Sequence, residues 1–292
     1  MHPPLVGIFF SAFGFTLFSV GDLLFKTLSA DYSIFQLIPM VGCVSMFVYL
    51  AAAPYLGGIP SIWRTKNFRI HIIRALIGVV QVGTIMYAFS HLPMATVYTL
   101  VFIAPAITTV LAMLFLREPV RLAHGLAICL GFAGVLIVLR PGLVPLNIAS
   151  LCVLLSALTL SSANILSRFI GKSETLLSLV FFPQLFVIVI LGALSAPAFE
   201  MPTPSAAGLV VLCGFLNAAG MLSVVFSFVK TPAGIVAPFQ YIQIIWGVLF
   251  GYLFFGDALD VWTGLGAFVI ILSGFWLLRH ARREGSKDKI PS

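Results

Sequence analysis

The chain has 292 residues, 61% of them hydrophobic and 9% charged, with mean hydropathy +1.14 and net charge +7. A soluble domain carries about a quarter charged residues, so this chain cannot cover a water-facing surface and must take lipid as its solvent. The basic excess lies in short connectors and in the tail Arg279-His280-Ala281-Arg282-Arg283. It fits topology and contact with anionic membrane lipids, and excludes a nucleic-acid platform because no base-stacking surface accompanies it.

A helix needs roughly 20 apolar residues to cross about 30 Å of hydrocarbon. Ten runs qualify in chain order: 5–25, 34–53, 70–90, 94–116, 122–139, 147–167, 174–196, 206–229, 233–255 and 259–278. They are continuous rather than alternating, which excludes barrel strands. The start, Met1-His2-Pro3-Pro4, lacks a basic leader region and reads as part of a retained first span. Short connectors make neighbouring spans antiparallel.

Placing both termini in the cytoplasm puts Arg64, Lys66, Arg69, Arg74, Arg117, Arg121, Arg168, Lys172, Lys230 and the five cations of the tail inside, and leaves only Lys26 and Arg140 outside. That asymmetry supports the ten-span parse and a multi-pass protein of the cell (inner) membrane.

A repeat is visible at a shift of 139 positions. Phe89 meets Phe228, Pro93 meets Pro232, Gly125 meets Gly264, Leu126 meets Leu265, Arg140 meets Arg279, and Glu118 meets Asp257. With a slightly larger shift, Asp22 and Lys26 match Asn164 and Arg168, and Pro39 matches Pro183. Five spans per copy is odd, so the second copy enters the membrane inverted. The expected fold is therefore an all-α integral membrane protein: ten transmembrane helices as two inverted five-helix repeats, 1–141 and 147–280, with a cytoplasmic tail at 281–292.

The stretch Tyr87-Ala88-Phe89-Ser90-His91-Leu92-Pro93-Met94-Ala95, through Ala104-Pro105 to Leu114-Phe115-Leu116-Arg117-Glu118-Pro119, resembles the EamA family of the drug/metabolite transporter superfamily. Gly125 to Gly134 and Val138-Leu139-Arg140-Pro141 resemble that family's fifth helix. A looser second copy follows in Thr231-Pro232-Ala233 and Phe254-Phe255-Gly256-Asp257. The resemblance implies movement of small metabolites, amino-acid-like compounds, nucleoside- or cofactor-like molecules or drugs. It also implies a cavity between the first, third, fourth, sixth, eighth and ninth spans. Many relatives carry an arginine early in the second span. Here Gln36-Leu37-Ile38-Pro39-Met40 holds no base, which puts an anion site at that position in doubt.

Polar residues in those spans are the candidates. Gln81 and Tyr87 lie in the third span, and Tyr98, Thr99 and Phe102 precede Pro105 in the fourth. Asn217 lies in the eighth. The ninth is densest, with Pro238, Phe239, Gln240, Tyr241, Gln243 and Trp246. Gln81, Tyr98, Thr99, Asn217, Gln240, Tyr241, Gln243 and Trp246 are the expected substrate-binding set, against the alternative that they bond helix to helix. Asp22 with Lys26, and Asn164 with Arg168, are read as gate or coupling pairs, or else as snorkelling anchors near the interface. Glu118 and Asp257 read as structural, with Arg117, Arg121 or Arg74 as partners for Glu118. Gly247 and Gly251 read as a close-packing stripe.

Cys43, Cys129, Cys152 and Cys213 each stand alone, without metal-ligand spacing. No GxxxxGK or HExxH occurs, so ATP-driven transport, zinc hydrolysis, catalytic residues, cofactors and metals are not expected. The expected partners are a small-molecule substrate and lipids, with a homodimer left open. The function expected is secondary transport by alternating access. The rivals are a membrane scaffold or assembly protein, which predicts that Gln81, Asn217, Gln240 and Gln243 point apart, and an integral membrane lipid-modifying enzyme.

Overall fold

The structure, a computed structural model, describes residues 3–63, 65–116, 122–139, 147–171, 173–236, 239–240, 242–257 and 260–287. Every regular element among them is helical. In chain order they are α1 (Pro3–Leu28), α2 (Ile34–Ala51), the short α3 (Pro60–Trp63), α4 (Phe68–His91), α5 (Met94–Val101), α6 (Ala104–Leu116) and α7 (Leu122–Leu139). There follow α8 (Ile148–Ile170), α9 (Leu176–Ser195), α10 (Pro204–Lys230), the short α11 (Ala233–Val236), α12 (Ile242–Phe255) and α13 (Val261–Lys287). Seven helical stretches among the described residues are long and apolar enough to cross a membrane, with Ile242–Phe255 and Val261–Ser273 as shorter apolar helices.

Helix starts follow local chemistry. Asn147, Thr175 and Thr203 each accept the backbone N–H three residues on, at 2.7, 3.2 and 3.3 Å, and Pro204 occupies the first turn after Thr203, where its missing donor costs nothing. Gly256, at φ +65°, ends α12 in the left-handed conformation that suits glycine at a helix stop.

The fourth span is not one continuous helix. A proline ring clashes with the carbonyl four residues back, which for Pro105 belongs to Val101, and α5 ends at Val101 with α6 resuming at Ala104. In the ninth span α11 is described to Val236 and α12 from Ile242, and Pro238 lies outside the described residues. Serines from neighbouring helices reach carbonyls in both spans: Ser161 Oγ donates to Ala104 O and Ser11 Oγ to Val236 O, each at 2.9 Å. These bonds satisfy backbone groups that lipid could not.

α1 packs chiefly along α10, α4 along α8 and α9, α2 along α9 and α10, and α7 along α13. Where α1 crosses α10 the backbones meet at glycine. A Cβ at Gly14 would lie 2.9 Å from Gly220 O, so a larger residue would separate the two helices. Apolar clusters fill the rest of the interior, while large side chains such as Phe47, Leu114 and Phe275 lie exposed on the outside, as a lipid-facing surface requires.

Candidate functional site

The helices enclose a cavity of about 190 Å³. Its walls come from α1, α4, α5, α8, α10, α12 and Gln240, the spans expected from the family resemblance, and also from α2 and α9. Gln81, Asn217, Gln240 and Gln243 all line it. Four amides from three helices and the turn before α12 therefore converge, which the scaffold reading did not predict. Gln240 and Gln243 are 3% and 6% exposed, so what their amides can meet is the cavity or a neighbouring helix. Phe15, Phe18, Phe25, Phe89 and Tyr98 give the same space an aromatic wall.

Asp22 and Tyr98 join at this wall. The Tyr98 hydroxyl donates to Asp22 Oδ2 at 2.8 Å, and the Tyr98 ring meets Phe89 edge-on at a centroid distance of 5.3 Å. Gly247 makes room for that ring, since a Cβ there would run into it. The glycine stripe thus seats a cavity residue as well as packing helices. Asn164, aligned with Asp22 by sequence shift, also lines the cavity.

The other expected site residues go elsewhere. Lys26 does not pair with Asp22. Its ammonium donates to Phe89 O at 3.1 Å and Leu92 O at 2.8 Å, and it sits 5.1 Å from the centre of the Phe255 ring. Arg168 repeats the arrangement, with Nη1 donating to Phe228 O at 3.3 Å and Thr231 O at 2.7 Å. Each cation closes the carbonyl end of a helix just before a proline, Pro93 or Pro232. Thr99 is buried and donates to Ala95 O, one turn back on its own helix, at 2.7 Å. Trp246 stacks on Phe250 and donates to Thr16 Oγ1 at 3.2 Å. Neither is among the residues lining the cavity. Tyr241 and Glu118 lie outside the described residues.

Arg74, counted from the sequence as a connector cation, is inside the protein. It is 3% exposed, belongs to α4 and lines the cavity. Its Nη2 donates to Ser167 Oγ at 2.7 Å and to Leu179 O at 3.0 Å. One turn earlier, His71 lies buried against Phe182, with Nε2 3.4 Å from Glu174 Oε2, within ion-pair reach but out of line for a hydrogen bond. Glu174 stands in the α8–α9 connector and accepts from Thr65 Oγ1 at 2.8 Å, Asn67 Nδ2 at 2.9 Å and the Lys66 N–H at 3.2 Å. Burial pushes its carboxyl up, but the hydrogen bonds from Asn67 and Thr65, together with the adjacent His71, hold it below the usual glutamate value. Cys213, read as a packing residue, also lines the cavity, its Sγ 3.4 Å from Gly21 O. The periodicity of α4 and α10 was the available signal for Arg74 and Cys213. Arg74 shares a face with Gln81, seven residues on, and Cys213 with Asn217, four on.

A riboflavin transporter of Vibrio cholerae is 27% identical over 239 residues, 79% of this chain and 80% of the relative. An S-adenosylmethionine uptake transporter of Rickettsia bellii is 23% identical over 269 residues, 92% of each chain. A crystal structure with 16% identity matches the fold at a TM-score of 0.73, covering 95% of this chain and 98% of the other. The model of the EamA-like transporter family matches twice, at residues 5–140 and 147–279. With both halves matched, the chain belongs to the EamA-like transporter family and is a transporter of a small metabolite.

Proposed function

We propose that the protein works by alternating access in the cytoplasmic membrane, with residues 1–141 and 147–280 as two inverted five-helix repeats that rock about the central cavity. The observation that carries this reading is the convergence of Gln81, Asn217, Gln240 and Gln243 on one space between the halves. A buried amide without a partner costs several kcal/mol in hydrocarbon, so grouping four of them makes sense where a polar substrate completes their hydrogen bonds. The separate family match to each half and the matched helix-end cations Lys26 and Arg168 support the repeat. The break before Pro105 supplies a place for the fourth span to bend. The basic connectors and tail support placing both termini in the cytoplasm, even with Arg74 removed from the connector count.

The aromatic and amide lining suits a flat, polar molecule. Riboflavin and S-adenosylmethionine, named for the relatives, are therefore the first compounds to test. Purified full-length protein in liposomes should take up one of these, or another member of a mixed metabolite pool, against protein-free liposomes. Replacing Gln240 and Gln243 together by leucine should lower that uptake at least tenfold. Unchanged uptake in the double variant would sink the assignment of the cavity. Reporter fusions at the two termini test the topology, and reporters on opposite faces of the membrane would overturn the ten-span arrangement.

A further inference from the structure

We infer that Arg74 binds an oxyanion, a carboxylate or a phosphate, on the transported molecule; this rests on the cavity being the transport site. A guanidinium carries donors on all three nitrogens and accepts nothing. In Arg74 the Nη2 donors are spent on Ser167 Oγ and Leu179 O, both neutral acceptors, while Nε and Nη1 are buried with no partner. Ser167 gives its own hydroxyl hydrogen to Ala163 O at 2.7 Å, so its oxygen is held ready to accept from Arg74 and fixes the guanidinium in place. Glu174, in the neighbouring connector, does not hydrogen-bond Arg74. Its Oε1 is taken by Thr65, Lys66 and Asn67, and its Oε2 faces His71 and Ser178.

Glu174 acts on Arg74 only through space, and a buried cation whose hydrogen bonds all go to neutral acceptors costs several kcal/mol unless an anion completes it. Arg74 is a lining residue of the cavity, and because its Nε and Nη1 are themselves covered, an anion in that space reaches them by displacing the side chains over them. The Asp22 carboxylate sits by the other end of α4. Fifteen residues separate Arg74 from Phe89 on α4, roughly 22 Å of helix axis, and Phe89 packs on the Tyr98 that holds Asp22. A molecule with its oxyanion at Arg74 therefore avoids the Asp22 carboxylate and lays its middle against the aromatic wall and the amides. This places an anion site in α4, in a chain whose second span carries no base at Gln36-Leu37-Ile38-Pro39-Met40.

The test uses full-length protein in liposomes exposed to a pool of amino acids, organic acids, nucleosides, nucleotides and vitamins, with uptake read by mass spectrometry. Riboflavin and its phosphate ester, and S-adenosylmethionine and its decarboxylated form, are included as pairs that separate phosphate from carboxylate. The compounds enriched by the wild type should carry an oxyanion, and Arg74→Gln should reduce their uptake at least tenfold. Arg74→Lys, which keeps the charge but loses the planar fork, should keep the oxyanion preference with a raised KM. A purely structural arginine would change the amount of folded protein, read by gel filtration, without changing that preference. Enrichment of compounds lacking an oxyanion, or undiminished oxyanion uptake in folded Arg74→Gln, overturns the inference alone. No enrichment of anything overturns the transport reading with it.

Discussion

The Tyr98 hydroxyl hydrogen-bonds the Asp22 carboxylate at 2.8 Å, tying α5 to α1 at the cavity wall, while Lys26, one turn along α1, faces away to the end of α4. The i, i+4 spacing of Asp22 and Lys26 suggested a pair, yet each has a better partner on another helix. The Lys26 ammonium gains two backbone carbonyls at a helix end, where cations are favoured. Asp22 keeps a neutral partner and access to the cavity.

This arrangement bears on coupling. Asp22→Asn keeps the shape and an acceptor for Tyr98 but can no longer exchange a proton. Wild-type uptake should respond to an imposed pH gradient and the Asp22→Asn variant should not. Equal responses would remove Asp22 from energy coupling. Tyr98→Phe should lower stability by about 1–3 kcal/mol, because it strips a partner from the carboxylate, as read by thermal unfolding in detergent.

Lys26 and Arg168 should prove equivalent. Lys26→Met and Arg168→Met each remove charged hydrogen bonds to two carbonyls at a helix end. Each should cost about 1.5–3 kcal/mol in thermal unfolding. A loss in only one variant would break the proposed correspondence between the two halves.

Gly247→Ala should disturb transport more than its size suggests. The added Cβ meets the Tyr98 ring, and overpacking of this kind costs about 1–3 kcal/mol or displaces the ring from Asp22. Uptake should fall at least tenfold. Gly208→Ala, where no atom lies within 4 Å of the new Cβ, should leave uptake unchanged. Similar uptake in both variants would show that Tyr98 is not held by this contact.

Glu174 should give stability an acid limb. Its folded carboxyl lies below the ordinary value, so its contribution is present above the unfolded glutamate range. That contribution is lost as the pH falls through the lowered folded value. Melting temperature plotted against pH should fall on the acid side for the wild type, and less steeply for Glu174→Gln. Parallel curves would show that the Thr65, Asn67 and His71 contacts do not favour the charged form.

The residues by themselves determined the solvent and the class. Lipid demands long apolar runs with internally satisfied backbone, and so few charges on a chain of this length permit little else. Pro105 marked where a helix breaks, because a missing N–H acts locally, whereas α2 and α9 run on through Pro39 and Pro183. Gln81, Asn217, Gln240 and Gln243 were legible as candidates, since an amide inside an apolar run must find a partner somewhere. Only the tertiary structure decided which side chains share the cavity. Helical spacing gives a residue's angle around its own axis, but not which neighbour faces that angle. So Thr99 and Trp246 turn to their own helix and to α1, Lys26 leaves Asp22 for free carbonyls, and Arg74, within the run 70–90 but counted with the cytoplasmic cations, enters the core. The destination of each polar group depends on where unspent donors and acceptors of other helices lie, and that exists only once the helices are packed.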